Sequence, residues 1–118
     1  MLPFEQTSLY VMAILYIFAG ICHFWKPKMF LSITPKWVPS PATVNIVVGI
    51  VEIALGIALL FETTQSYAAI GIIALLVAVF PANVYHFQKA RRKGKMVIPT
   101  LIRLPMQVLL ILWARTFI

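Results

Sequence analysis

Acidic residues are nearly absent: Glu5, Glu52 and Glu62 are the whole of them in 118 residues, against ten lysines and arginines. Charged residues of both signs make up only 11% of the chain and apolar ones 62%. Soluble domains hold roughly 25% charged and 45–50% apolar residues, so a soluble globular domain is excluded at the first step. Cysteine is confined to Cys22, which excludes an intramolecular disulfide and Cys-x-x-Cys exchange chemistry and leaves packing as that residue's expected role. The sequence also has no low-complexity segment and no convincing internal repeat.

What fills the chain instead is one long apolar run after another. A helix needs about 20 residues to cross the hydrocarbon core. Backbone groups in lipid have to be satisfied within the segment, and runs without alternation mean helices rather than barrel strands. The runs predict an all-α fold, an integral membrane antiparallel four-helix bundle with short loops. It forms a single domain over residues 1–118, with spans at about 8–25, 42–61, 66–88 and 97–117. The first run lacks the basic leader and small-residue cleavage site of a secretory signal, so it is expected to stay as a helix.

Between the first two runs, Pro27, Pro35, Pro39 and Pro41 are expected to break any helix, while Phe30, Ile33 and Trp37 hold the segment at the membrane interface. Residues 62–65 read as a tight turn and residues 88–95 as a compact basic loop. Lys26, Lys28, Lys36, Lys89, Arg91, Arg92, Lys93 and Lys95 all fall in the first and third loops. The positive-inside rule then makes loops 26–41 and 88–96 cytoplasmic and puts both termini on the opposite side, in what reads as a bacterial inner membrane. The net charge of +7 follows from that topology. Membrane lipid headgroups are the expected partners of the basic loops, and nucleic acid is not.

Ionisable groups at membrane depth are costly and mark site candidates. Glu52 lies ten residues into the second span, roughly 15 Å at 1.5 Å per residue, near the bilayer midplane. Asn45, Gly49, Glu52 and Gly56 share one stripe of that helix, which has to face protein, and the glycines let another backbone come close. Arg103 and Gln107 sit one turn apart on the fourth span, with Gln107 level with Glu52. Arg103 either pairs with Glu52, with Gln107 capping the carboxylate, or snorkels to the interface. Pro81 frees a carbonyl near Val77 in the third span, and Asn83 lies at the depth of Arg103. His23 brings the first span to the same third of the membrane.

The candidate ligand-binding cluster is therefore His23, Glu52, Asn83, Arg103 and Gln107, with Tyr16 and Tyr85 as neighbours. A structural network of interhelical hydrogen bonds is the alternative. Ligation of haem by His23 and His86 is a minor reading. One carboxylate, two histidines and one cysteine make too thin a set for a metal.

Several spaced motifs run through nearly the whole chain: Gly20-x-x-His23-Phe24-x-x-Pro27-x-x-Phe30, Pro35-x-Trp37-x-Pro39, Gly49-x-x-Glu52-x-x-x-Gly56, Phe80-Pro81-Ala82-Asn83, and Arg103-Leu104-Pro105-x-Gln107 with Trp113. Together they resemble the DoxX-like family of small four-helix membrane proteins. That resemblance implies the four-helix fold and a link to redox or assembly complexes. It carries over no catalytic residue.

The expected function is that of an accessory or assembly subunit of a membrane complex, redox-linked, with a membrane protein partner or a second copy of itself. The polar cluster would hold a small amphipathic ligand such as a quinone or a lipid. No cofactor signature and no nucleophile with an orienting partner is visible, which argues against an enzyme. A small proton-coupled transporter using Glu52, and an enzyme on a membrane-dissolved substrate with Glu52 or His23 as acid or base, are the alternatives.

Overall fold

The computed structural model of the protein describes residues 3–32 and 34–118, so Ile33 lies outside the described residues. The chain is helical throughout, with no strand among the described residues: α1 Pro3–Trp25, α2 Pro27–Leu31, α3 Pro41–Leu59, α4 Gln65–Lys93 and α5 Val97–Arg115. All but α2 are long and apolar enough to cross a membrane.

Three boundaries differ from the sequence reading, each for a local reason. Helix α1 is already helical at Pro3, more than a turn earlier than expected, and a proline is tolerated in a first turn because it lacks only a donor that would be unpaired there anyway. The same rule corrects the reading of the first loop: Pro27 opens the five-residue α2 rather than preventing it. Helix α4 runs on through the basic stretch to Lys93, since lysine and arginine are good helix formers. It stops at Gly94, whose φ of 68° lets Lys95 N–H reach back to the Ala90 carbonyl at 3.2 Å.

Packing is pairwise. Helix α1 lies along α3 and α4 along α5, while α3 against α4 joins the two pairs. The α1/α3 seam is closed by glycine. A Cβ on Gly20 would stand 2.6 Å from the Gly49 carbonyl oxygen, and one on Gly56 would stand 2.8 Å from the Ala13 carbonyl oxygen. These helices therefore touch backbone to backbone, as the stripe of Gly49 and Gly56 led one to expect.

The buried apolar core occupies one end of the molecule. Leu9, Met12, Ala13 and Tyr16 of α1 meet Leu59 of α3, Ala68, Ala69, Ile72 and Leu76 of α4, and Ala114 and Phe117 at the end of α5. Trp113 Nε1 donates to Ser8 Oγ at 2.7 Å and ties α5 to α1 at that end. The other faces of the long helices turn large apolar side chains outward, among them Ile14 and Phe18, Val47 and Ile50, Ile70 and Val77, and Leu109 and Leu112.

Candidate functional site

The sequence-predicted buried polar groups fall into two separate networks, not one cluster, while buried Thr100 bonds only the Met96 and Val97 carbonyls at the start of its own helix. The first crosses the glycine seam. Gly20 and Gly49 let α1 and α3 approach so closely that a Cβ on Gly49 would be 2.9 Å from His23 Cβ. At that separation a short side chain spans the gap, and Asn45 does so twice. Its Nδ2 donates to the His23 carbonyl at 2.8 Å, and its Oδ1 lies 2.6 Å from His23 Nδ1.

A carbonyl can only accept, so the first bond fixes which way the amide faces, and the second then requires the proton of the imidazole to sit on Nδ1. The remaining ring nitrogen, Nε2, points at Glu52 Oε2, 3.5 Å away. That oxygen is buried and has no hydrogen-bond partner among the described residues. Two acceptors facing each other away from water form an unfavourable contact unless a donor comes between them. Phe30 of α2 stacks on the imidazole with ring centroids 3.7 Å apart and an 18° angle between planes.

The second network crosses α4 and α5 beside their prolines. Gln107 is buried, and its Nε2 donates to the Leu76 carbonyl at 2.7 Å, while its Oε1 accepts from Asn83 Nδ2. Pro81 sits inside α4 and Pro105 inside α5. Pro81 removes the donor to the Val77 carbonyl, and Gln107 bonds the neighbouring carbonyl, that of Leu76. Near the basic end, Arg103 Nη1 lies 3.3 Å from His86 Nδ1 on the exposed surface.

The sequence cluster is thus divided. His23 and Glu52 come together, as do Asn83 and Gln107, while Arg103 joins His86. The Arg103–Glu52 ion pair capped by Gln107 does not form. Helix α3 presents Glu52 to α1 and not to α5, which leaves Arg103 in the exposed position of the snorkelling alternative. Tyr16 is buried in the apolar core, and Tyr85 is half-buried without a part in either network's hydrogen bonds. Asn45 and Phe30 were missing from the expected cluster. Asn45 was visible on the stripe of Glu52, seven residues earlier, whereas nothing in the sequence placed Phe30 over His23. Among the described residues no group of three or more His, Cys, Asp or Glu side chains is placed to hold a metal ion.

A family model described as Domain of unknown function (DUF8561) matches residues 12–118, which takes in both networks. No curated protein and no solved structure matches the chain.

Proposed function

The chain belongs to the DUF8561 family, and from that premise and the geometry of its buried groups we propose that it is an integral membrane protein of four antiparallel spans. It serves as an accessory or assembly subunit of a redox-linked membrane complex and holds a small amphipathic ligand at the His23–Glu52 pair. The observation that carries this reading is the buried, unpartnered Oε2 of Glu52 beside His23. Close packing of α1 on α3 needs only the glycines. A carboxylate kept there without a hydrogen bond costs stability and is explained by a donor that arrives with a ligand.

Several features support the membrane setting: the four long apolar helices, the large apolar side chains turned outward on all of them, and the gathering of basic residues in the α1–α3 connection and around the α4–α5 connection. In this reading those connections are cytoplasmic and the membrane is a bacterial inner membrane. The motifs that resemble the DoxX-like pattern support the redox link, and a quinone is the ligand type that suits a half-apolar site with an imidazole and an unpartnered carboxylate oxygen. The test is a pull-down of tagged wild type beside Glu52→Gln, with lipid and quinone extraction of the eluate. Loss of both partner and ligand from the variant is expected. Unchanged recovery of both would overturn the site.

The buried carboxylate of Glu52 facing His23 Nε2 favours a second reading, a proton-coupled transporter in which substrate and proton compete for Glu52. Proton-driven uptake by vesicles that survives Glu52→Gln would remove it.

A further inference from the structure

The end of the molecule that carries α2 and the last turns of α4 holds most of the basic side chains. The three carboxylates lie elsewhere: Glu5 in the first turn of α1, Glu52 inside α3 and Glu62 after α3. Nothing in the chain neutralises that charge, so its counter-charge comes from outside.

Helix α4 supplies a built surface for it. At 29 residues it overruns by about two turns the roughly 20 needed to cross a hydrocarbon core. In that overrun Gln88, Arg91 and Arg92 stand at i, i+3 and i+4, on one face, and line a depression of about 550 Å³. Lys89 faces away, with its Nζ donating to the Ser32 carbonyl at 2.9 Å. It fastens the first loop to α4 and takes no part in the depression. Two guanidiniums and an amide form a donor-rich cradle that matches the oxygens of a phosphate.

The stripe below the cradle says which phosphate. Ile70, Val77, Pro81 and Val84 continue the Gln88 face along α4 at helical spacing, and Ile70 and Val77 are exposed. Trp25 and Trp37 are exposed on the segments that flank α2, with Lys26 lying 5.4 Å over the Trp25 ring, which is the character of a headgroup layer. A charged head above an apolar track fits a phospholipid. Inorganic phosphate or nucleic acid would leave the track unused.

We propose that the Gln88–Arg91–Arg92 face binds the phosphate of an anionic phospholipid whose acyl chain lies along the α4 stripe. The proposal rests on the membrane reading above. The experiment is native mass spectrometry of the full-length protein in mild detergent, titrated with phosphatidylglycerol, phosphatidylcholine or inorganic phosphate. Phosphatidylglycerol is retained in preference to phosphatidylcholine. Each guanidinium that loses its direct contact with the phosphate weakens binding about fivefold, so the double variant Arg91→Gln/Arg92→Gln binds phosphatidylglycerol about thirtyfold more weakly. Lys93→Gln/Lys95→Gln removes the same charge outside the cradle and costs less than fivefold. Arg91→Lys/Arg92→Lys keeps the charge and recovers most of the binding, which separates loss of the site from loss of the fold.

Equal losses in the two Gln double variants would overturn the proposal, as would equal retention of the two lipids. Displacement of the lipid by millimolar inorganic phosphate would assign the cradle to a free anion instead. Fractionation of the same cells keeps the two claims apart. Protein in the membrane pellet without lipid preference sinks only the cradle, whereas protein in the soluble fraction sinks the membrane reading with it.

Discussion

The α1/α3 and α4/α5 seams both carry polar side chains between paired helices, yet they are made by opposite means. Glycines close the first, and its amide, imidazole and carboxylate are locked in one arrangement because the backbones cannot move apart without losing contact. Prolines sit inside both helices of the second, and its glutamine fastens α5 to α4 by donating to the Leu76 backbone carbonyl. The first seam leaves one acceptor unpaired, Glu52 Oε2, and in the second both ends of the Gln107 amide are paired. A polar group with its hydrogen bonds made is a fastening, and one left unpaired inside a rigid seam is a place for chemistry.

The sharpest way to break this contrast is to fill the glycine contact. Gly20→Val places atoms where the Gly49 carbonyl and Ile53 already stand, and a clash with backbone cannot relax by a rotamer change. A loss of about 3 kcal/mol is expected, read as a lowered unfolding midpoint in mild detergent. Gly71→Ala on α4 is the control. Its new Cβ would meet only the end of the Leu55 side chain, which can turn away, and the loss should stay below about 1 kcal/mol. Equal losses at the two positions would deny that the α1/α3 seam is more rigid than the α3/α4 contact at which Gly71 meets Leu55.

Removing the amides comes next in size. Asn45→Leu strands both the His23 carbonyl and Nδ1 and should cost about 2 kcal/mol. Gln107→Leu should cost about 1 kcal/mol, near the typical value for an interhelical hydrogen bond in a membrane protein. The same unfolding series measures both, and a larger loss at Gln107 would reverse the ranking of the seams. The smallest change should come from Arg103→Gln. Its side chain is exposed beside His86, and replacing it should move stability by less than about 0.5 kcal/mol.

Much of this architecture was legible before any coordinates. The apolar runs located four long helices because length and composition alone decide whether a helix is able to cross a hydrocarbon core. The Asn45–Gly49–Glu52–Gly56 stripe marked the face of α3 that packs, since helical periodicity survives tertiary context. The extent of α4 was underestimated because polarity was read as a stop signal, whereas the physical stop is the left-handed residue Gly94.

The site was only half legible, for a geometric reason. Rise per residue gives depth along a helix, and by depth Glu52, Gln107 and Arg103 belong together. Depth does not say which neighbour a helix turns its face toward. That choice was made by Gly20 on α1, which draws α3 to it and carries Glu52 to His23 and away from α5. Phe30 could not be placed at all, because its position over His23 depends on the path of a proline-rich connection with no periodicity to read.

A double-mutant cycle on unfolding stability tests most directly whether Glu52 belongs to the α1/α3 seam. His23→Phe and Glu52→Gln, singly and together, should show a coupling of about 1 kcal/mol or more, while Arg103→Gln and Glu52→Gln should be additive within about 0.5 kcal/mol. Coupling of Glu52 to Arg103 with none to His23 would mean that the carboxylate faces α5, and the His23–Glu52 pair would not exist.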